Sequence, residues 1–227
     1  MKTGAISQPR YLPALIYLQR MKLADVFVLL DDVQHSREFE NRNYIKTPQG
    51  KKWLTINCLK GRMKICELRI SNPSWIEEHK ELIRRNYRKA PFFSEETLDF
   101  IYNLQFNESF TETVEQYLRN CMSLLDIKTE LLFSSTLGTE SKGAEKLAEI
   151  STMLGFDVYL SGINGREYIE NEFADCGVKV KYHTYEHPVY PQLWGDFIPW
   201  MGVIDTLFNV GQERTKEMLD ENCTITD

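Results

Sequence analysis

The chain has 227 residues, of which 42% are hydrophobic and 26% charged, and its formal net charge is −6. A chain of this length buries about 70% of the surface that its unfolded form exposes, so it needs no disulfide or metal ion for stability. The acidic balance argues against a surface that holds duplex nucleic acid throughout, because such binding needs a basic footprint. A local basic patch is present at Arg84, Arg85, Arg88 and Lys89.

Cysteine usage and the N-terminal residues indicate the compartment. The five cysteines lie at positions 58, 66, 121, 176 and 223, without a C-x-x-C pair or a close histidine partner. This spacing is weak for zinc and for a disulfide framework, and it predicts reduced thiols in a cytoplasmic protein. The first ten residues lack the long apolar region of a signal peptide. No window approaches the roughly 20 apolar residues that span a bilayer, so we expect no membrane span.

A strand–helix–strand unit opens the chain. Residues 4–7 are short and apolar and predict a strand. Pro9 and Pro13 then interrupt regular structure, because proline lacks an N–H and favours extended geometry in the residue before it. From Pro13 onward the apolar spacing predicts an amphipathic helix. Residues 26–30 are apolar at every position, as is typical of a strand covered on both faces of a parallel sheet, and they complete a βαβ unit.

The rest of the chain continues this pattern after an interruption. Residues 47–50 predict a turn, and residues 53–56 and 63–70 predict two further strands. Residues 72–127 predict helices with apolar faces of period 3.6. Strand signals return at 130–134, 157–160 and 178–182, and helix signals at 141–154, 166–175, 197–210 and 211–220. The sequence therefore predicts one α/β domain over residues 1–227, with a Rossmann-like, mostly parallel sheet flanked by helices and a helical insertion at 72–127.

Polar side chains follow the first two predicted strands. Ligands of open α/β sheets bind outside the carboxyl ends of the strands, so both polar segments are expected to line one crevice. Asp31 and Asp32 suit Mg²⁺, general-base catalysis, or binding of an amine or of ribose hydroxyls, and His35 suits proton transfer near neutral pH. We predict these three as catalytic; alternatively, the aspartates cap a strand end in solvent and the histidine is a surface residue. Substrate-binding residues predicted from the same segments are Gln8, Tyr11, Gln34 and Arg37.

Two further segments offer anion contacts. Asn41, Arg42 and Asn43 are predicted to bind substrate, because an arginine fork matches phosphate or carboxylate; an Asx-type turn is the alternative. Residues 161–168 follow a strand and open a helix, where glycines allow close backbone approach and free N–H groups attract an anion. The segment is neither a Walker loop nor a Rossmann G-x-G-x-x-G motif, and an ordinary turn is its alternative. The substrate contacts predicted from it are Ser161, Gly162 and Arg166.

Residues 182–197 interleave aromatic rings with histidines, a composition that suits stacking on a base or sugar ring. His183 and His187 are four residues apart, the spacing of metal ligands on a helix, but Pro188 and Pro191 prevent a helix there. We therefore predict no metal site at these two histidines and assign no metal ligand elsewhere. The substrate-binding residues predicted from this segment are Tyr185, His187, Tyr190 and Gln192. No G-x-S-x-G motif and no activated cysteine supports covalent catalysis.

Several blocks of the chain resemble the WbqC-like family. Residues 8–13 read QPRYLP, which is similar to the Q-P-x-(Y/F)-L-P opening of that family. Further similar blocks are ADVFV (24–28), DDVQ (31–34), NRN (41–43), Gly50 followed by WLT (53–55), YLSG (159–162), YEHPVYPQ (185–192), FIP (197–199) and residues 205–211. The match covers nearly the whole chain. Residues 35–40, HSREFE, depart from a more aromatic and basic family segment, so no substrate contact is carried over to Phe39 or Glu40.

The resemblance implies a bacterial protein of lipopolysaccharide or O-antigen biosynthesis, a glycine (aminoacyl) or acyl transferase that modifies an amino sugar. Its implied partners are a sugar nucleotide and an acyl or aminoacyl donor. A thioester, an aminoacyl-tRNA and an ATP-activated amino acid are all open as donors, and no cofactor is assigned. Asp32 or His35 would take the proton of the amine, and Arg37, Arg42 and the 162–165 turn would hold the anion. The alternatives are an ATP-dependent nucleotidyl transferase or ligase and a non-catalytic polysaccharide-assembly protein, and a homo-oligomer is left open.

Overall fold

The computed structural model describes residues 1–59, 61–105 and 107–227, without the side chains of residues 167, 168 and 170. Within these residues the strands are β1 (Thr3–Ser7), β2 (Val26–Leu29), β3 (Arg42–Thr47), β4 (Gly50–Thr55), β5 (Glu130–Phe133), β6 (Val158–Gly162), β7 (Lys179–Tyr185) and β8 (Cys223–Thr226). The helices are α1 (Leu15–Lys22), α2 (Trp75–Tyr87), α3 (Glu95–Ile101), α4 (Phe110–Leu124), α5 (Gly143–Met153), α6 (Arg166–Phe173), α7 (Val203–Val210) and α8 (Gln212–Met218). None of the helices in the described ranges is long and apolar enough to cross a membrane.

The central sheet has six strands among the described residues, in the order β5-β2-β1-β6-β7-β8. All neighbours are parallel except β7 and β8, so the predicted α/β fold with a mostly parallel sheet is confirmed. β2 is buried at every position, which explains its uninterrupted apolar sequence. From β1 the chain builds towards β2 and β5 on one side, and it later returns to place β6 and β7 on the other. The carboxyl ends of β1 and β6 therefore flank a topological switch point, where open α/β sheets bind ligands.

The sheet separates two apolar clusters. One contains Ile6, Val26, Val28 and Tyr159 of the strands together with residues of α5 and α6. The larger cluster contains Ala5, Phe27 and Leu29 and extends through α1, α2, α4 and α7. The predicted helices of residues 72–127 are confirmed as α2, α3 and α4. Whether they form an insertion within one domain stays a prediction.

Three details of the chain differ from the sequence prediction. The strand predicted at 53–56 belongs to β4, which pairs with β3 in a separate antiparallel hairpin, and β3 itself was not predicted. Residues 63–70 are not a strand, because the turn Ile65–Glu67 interrupts them and the Glu67 carboxylate accepts the backbone N–H of Lys64 at 2.9 Å. The edge strand β8 has no buried residue, so it gives no apolar signal.

Gly4 allows β1 to lie against the loop before β6. A Cβ at this position would overlap the ring of Phe156. We expect Gly4→Ala to lower the free energy of unfolding by about 1–3 kcal/mol, the usual cost of overpacking. Urea denaturation checks this value. The double variant Gly4→Ala/Phe156→Leu should recover most of the loss, and equal stability of the single variant and the wild type would contradict the packing described.

Candidate functional site

A cavity of about 850 Å³ lies at the switch point of the sheet. Its wall includes Ser7 and Gln8 after β1, Ser161 and Gly162 at the end of β6, and Tyr185 at the end of β7. These residues come from three strands whose carboxyl ends meet at one edge. Among the described residues, the wall also includes Ile6, Arg10, Ala14, Ile16, Tyr17, Arg20, Leu30, Phe39, Asn43, Leu147, Tyr159, Ile163, Asn164, Gly165, His183, Thr184 and Trp200.

Helix α1 brings the guanidinium of Arg20 to the cavity. Arg20 Nη2 donates a hydrogen bond to Ser7 Oγ at 3.1 Å, which ties it to the end of β1. The same guanidinium lies against Gly162, since a Cβ built there would come within 2.6 Å of Arg20 Nη1. Glycine at position 162 thus gives the arginine the space it occupies beside the end of β6.

A second guanidinium, that of Arg10, lies in the loop after β1. It is 5.6 Å from the ring centroid of Phe39 and 5.9 Å from that of Tyr17, within the range of cation–π attraction. The hydroxyl of Tyr17 donates to the carbonyl of Gln8 at 3.1 Å and so fixes the loop between β1 and α1. The cavity wall therefore carries two arginines on adjoining segments, a setting that suits a phosphate or diphosphate.

His183 on β7 is held in one tautomer by Gln19 of α1. The side-chain amide of Gln19 donates to the carbonyls of Leu219 at 3.2 Å and Glu221 at 2.7 Å, which identifies its nitrogen. Its oxygen therefore faces His183 Nε2 at 2.7 Å and needs a proton from it. Nε2 carries the hydrogen, and Nδ1 is left with a free lone pair.

The environment also keeps this imidazole neutral. His183 is 1% exposed, and burial together with the nearby Arg20 lowers its pKa to about 4. Among the described residues, no hydrogen-bond partner reaches its Nδ1 or the hydroxyl of Tyr185, another residue of the cavity wall. The imidazole is therefore neutral at neutral pH and offers a lone pair at a defined atom, as a proton acceptor must, although this low pKa makes it a weaker base than a histidine that titrates near 7.

The two predicted catalytic aspartates do not line the cavity. Asp31 is 2% exposed, and its carboxylate accepts hydrogen bonds from Ser135 Oγ at 2.8 Å and from the backbone N–H of Ser135 at 2.9 Å. Burial raises its pKa. Asp32 pairs with Lys146 of α5 at 2.6 Å and accepts from Ser134 Oγ at 2.6 Å. Burial opposes its ionisation, but the bonds from Lys146 and Ser134 outweigh burial and lower its pKa.

His35, Gln34 and Arg37 lie in a loop beside residues 61–64, outside the cavity wall. His35 Nε2 is 3.7 Å from Glu40; burial lowers the pKa of the imidazole, although the carboxylate opposes this. Gln34 donates to the carbonyl of Met63 at 2.9 Å, and Arg37 donates to that of Gly61 at 3.1 Å. Their catalytic and binding roles stay predictions.

Of the predicted residues Asn41, Arg42 and Asn43, one lines the cavity and two bind backbone carbonyls of the surrounding loops. Asn43 lines the cavity and is buried, with its amide donating to the carbonyl of Leu12 at 2.7 Å. Asn41 instead donates to the carbonyl of Ile56 at 2.9 Å. Arg42 donates to the carbonyls of Glu38 and Arg37, both at 2.9 Å, and so shapes the loop before the hairpin.

Several other residues that were predicted to bind substrate make hydrogen bonds to other groups of the protein. Tyr11 is fully buried, with its hydroxyl 2.7 Å from His79 Nδ1. Tyr190 and Gln192 both donate to the buried carboxylate of Asp205, at 2.8 and 2.7 Å. His187 donates from Nδ1 to the carbonyl of Pro188 and accepts the N–H of Trp200 at Nε2. None of these predicted contacts belongs to the cavity wall.

Of the turn after β6, Ser161 and Gly162 line the cavity, and their contact with substrate stays a prediction. Arg166 is outside the wall and donates to the carbonyl of Asp227 at 2.5 Å. The predicted single crevice is therefore assembled from Gln8, Asn43, Ser161, Gly162 and Tyr185, without Asp32 or Arg42. Within the described parts of the chain, no group of three or more His, Cys, Asp or Glu side chains is placed to hold a metal ion.

The predicted site residues did not include Arg10, Arg20, Gln19, His183 or Trp200. Arg20 and Gln19 sit inside a predicted helix, where polar residues are ordinarily assigned to its solvent face. In the structure, α1 packs on the sheet and also contributes Ile16, Tyr17 and Arg20 to the cavity wall. The signal available in the sequence was the pair of polar residues at positions 19 and 20 flanked by buried Leu18 and Met21.

Gly162→Ala tests the position of Arg20 without disturbing the core. The new methyl group would meet only the far end of a flexible side chain, so we expect the free energy of unfolding to change by less than about 0.5 kcal/mol. Displacing the guanidinium should weaken binding of an anionic ligand by roughly tenfold or more, the value of a hydrogen bond to a charged group. Calorimetric titration with inorganic pyrophosphate measures the change. Unaltered affinity would show that Arg20 does not hold the anion.

The chain is similar to known proteins over nearly its whole length. The WbqC-like protein family matches residues 8–217 of the chain. The chain is similar to a Mycobacterium tuberculosis protein named "Uncharacterized protein Rv1507c", with 34% identity over 222 residues that cover 94% of this chain and 96% of the relative. No solved structure matches the chain. The chain therefore belongs to the WbqC-like family.

Proposed function

We propose that the protein is a cytoplasmic transferase that forms an amide between glycine, or a similar acyl unit, and the amine of a nucleotide-linked amino sugar in bacterial O-antigen or polysaccharide synthesis. The observation that carries the proposal is the neutral imidazole of His183 in the wall of a cavity that also holds Arg10 and Arg20. An amine acceptor needs a base, and a sugar nucleotide needs cations for its diphosphate.

The cavity suits a substrate of this size and polarity. Its volume of about 850 Å³ lies within the range of small-molecule sites, which span roughly 300–1,000 Å³. Arg10 and Arg20 would bind the diphosphate, and the backbone of residues 162–165 would approach it closely. Tyr185 and the exposed ring of Trp200 would contact the sugar or base by stacking.

The proposed reaction moves one proton from the amine to the leaving group through His183. The amine nitrogen attacks the carbonyl carbon of the activated acyl group, and the N–H proton passes to His183 Nδ1. A C–N bond forms, and the bond from the carbonyl carbon to the donor oxygen or sulfur breaks. The imidazolium then returns the proton to that leaving oxygen or sulfur. Gln19 keeps Nε2 protonated throughout, so that Nδ1 performs both transfers.

The test is product formation on the sugar. Purified protein is incubated with UDP- and dTDP-linked amino sugars and with each donor class: a glycyl thioester, a glycyl-tRNA, or glycine with ATP. We expect a mass increase of one acyl unit on the sugar with one of these donors. No increase with any donor would overturn the proposal, and Mg²⁺-dependent pyrophosphate exchange without amide formation would favour a nucleotidyl transferase.

A further inference from the structure

One segment of this acidic protein carries a net positive charge. Residues 37–69 contain nine lysines and arginines against three acidic residues, a net charge of +6, whereas the rest of the chain carries −12. The segment includes the β3–β4 hairpin and the loops on either side of it. Exposed cations in it are Arg37, Lys51, Lys52, Arg62, Lys64 and Arg69.

One face of the hairpin stacks aromatic rings between cations. The rings of Tyr44 and Trp53 are stacked, with centroids 3.6 Å apart and planes 26° apart. Arg42 lies over Trp53 at 4.4 Å, and Lys51 lies over Tyr44 at 5.3 Å. Phe39 packs against Trp53 with centroids 5.6 Å apart. We call Arg42, Tyr44, Lys51 and Trp53 the hairpin column.

The hairpin column is continuous with the cavity. Phe39 touches the column and also lines the cavity, where Arg10 lies 5.6 Å from its ring. On the side of the column away from the cavity, Arg42 donates a hydrogen bond to the carbonyl of Arg37, and Arg37 donates one to the carbonyl of Gly61. The basic loops therefore adjoin the column. A ligand whose reactive end enters the cavity can therefore lie along this face.

Four cations on or beside this face have no ion-pair partner among the described residues. Across the described ranges, no carboxylate lies within ion-pair distance of Arg10, Arg42, Lys51 or Arg62, whereas Arg84 and Arg214 on the helices each hold acidic partners. Unpaired cations clustered on one surface are available to a polyanion, and the gain from releasing its counterions would add to binding.

We propose that this face binds the single-stranded 3′ end of an aminoacyl-tRNA, so that its terminal nucleotide delivers the aminoacyl ester into the cavity. The inference rests on the proposed transferase function and names its donor. Aromatic rings and guanidinium planes are the partners on which unpaired bases stack, and cations follow the phosphates. An acidic carrier protein would use the cations alone, and its pantetheine arm has no ring to stack on the guanidinium of Arg42, which ends the column over Trp53.

Transfer from an aminoacyl ester to the amine forms one bond and breaks one bond. The amine nitrogen of the sugar attacks the ester carbon, a C–N bond forms, and the ester C–O bond breaks. The proton of the amine passes through His183 to the departing ribose oxygen, which leaves as the free terminal hydroxyl of the tRNA. No oxidant, reductant or nucleotide hydrolysis is needed, because the ester already carries the activation.

The test measures binding of a fluorescein-labelled single-stranded RNA that ends in CCA, by fluorescence anisotropy. The Lys51→Glu/Arg62→Glu variant should bind at least tenfold more weakly than the wild type. The slope of log K against log salt should fall by about 1.4, because each lost phosphate contact contributes about 0.7 for a single strand. The matched control is Arg88→Glu/Lys89→Glu, the same charge change at exposed residues at the end of α2, and it should bind within twofold of wild type.

Three results would overturn the inference: no RNA binding at 100 mM salt, equal losses in the variant and its control, or binding of an acidic acyl carrier protein in place of RNA. The donor assay separates the two proposals. Transfer from a thioester without RNA would leave the proposed function standing and refute this inference. RNA binding at the hairpin column with no transfer to any amino sugar would refute the function alone.

Discussion

Replacing His183 by glutamine should lower the rate of amide transfer by about 10²- to 10⁴-fold, the usual contribution of a general base. Glutamine can still donate a hydrogen bond to Gln19 Oε1, as Nε2 of the imidazole does at 2.7 Å. It offers no basic nitrogen in place of Nδ1. Because the buried contact is kept, the loss should appear in kcat, measured by mass spectrometry of the sugar product, with KM changed less than threefold.

The Gln19→Glu variant tests the same role of His183 through the pH dependence of the rate. A carboxylate at position 19 keeps the acceptor for Nε2 but raises the pKa of His183, which burial and Arg20 hold at about 4. The acidic limb of the rate profile should therefore move to higher pH. A profile that does not move, or a His183→Gln rate within threefold of wild type, would show that His183 is not the base.

Acid should destabilise the fold between pH 6.5 and pH 4. Burial lowers the pKa of both His79 and His183 to about 4, so in this window the unfolded chain binds protons that the folded chain excludes. Stability is therefore complete above pH 6.5 and falls as the pH drops. Between pH 7 and pH 5 each histidine should cost about 2 kcal/mol. Asp31 and Asp205, whose pKa values burial raises, oppose part of this loss.

Urea denaturation of the His79→Asn variant isolates one of these contributions. Asparagine retains an acceptor for the Tyr11 hydroxyl, which lies 2.7 Å from His79 Nδ1 in the wild type. The variant should be less stable at pH 7, but its loss of stability from pH 7 to pH 5 should be smaller than that of the wild type by about 2 kcal/mol. An identical loss in both proteins would mean that His79 is not held neutral by burial.

The strands around the site were predictable because their sequences are locally distinctive. The apolar run of β2 and the short apolar β1 predict neighbouring parallel strands, and the rule for open sheets then places Gln8 in a crevice. The glycine-containing turn after β6 brought Ser161 and Gly162 to the same place. Local composition was sufficient in these cases, because strand ends and turns have recognisable residues.

The chemistry of individual side chains was not predictable, because distant partners decide it. The catalytic role of Asp32 stays a prediction, but the sequence did not indicate that Lys146, more than a hundred positions away, is its ion-pair partner. His183 gained its single tautomer from Gln19 on a helix 164 positions earlier. The hairpin strand β3 was missed because its polar residues, among them Arg42 and Asn43, gave no alternating apolar pattern. Its stability comes from tertiary contacts such as the bond from Asn43 to Leu12.

Calorimetric titration of a UDP- or dTDP-linked amino sugar into two variants tests the central claim most directly, namely that the cavity at the switch point binds the substrate. Arg20→Gln removes a guanidinium from the wall of the cavity, and Asp32→Asn changes the predicted carboxylate outside it. We predict at least tenfold weaker binding for Arg20→Gln and binding within twofold of wild type for Asp32→Asn. Wild-type affinity in Arg20→Gln together with a loss in Asp32→Asn would contradict the account and place the substrate at the end of β2.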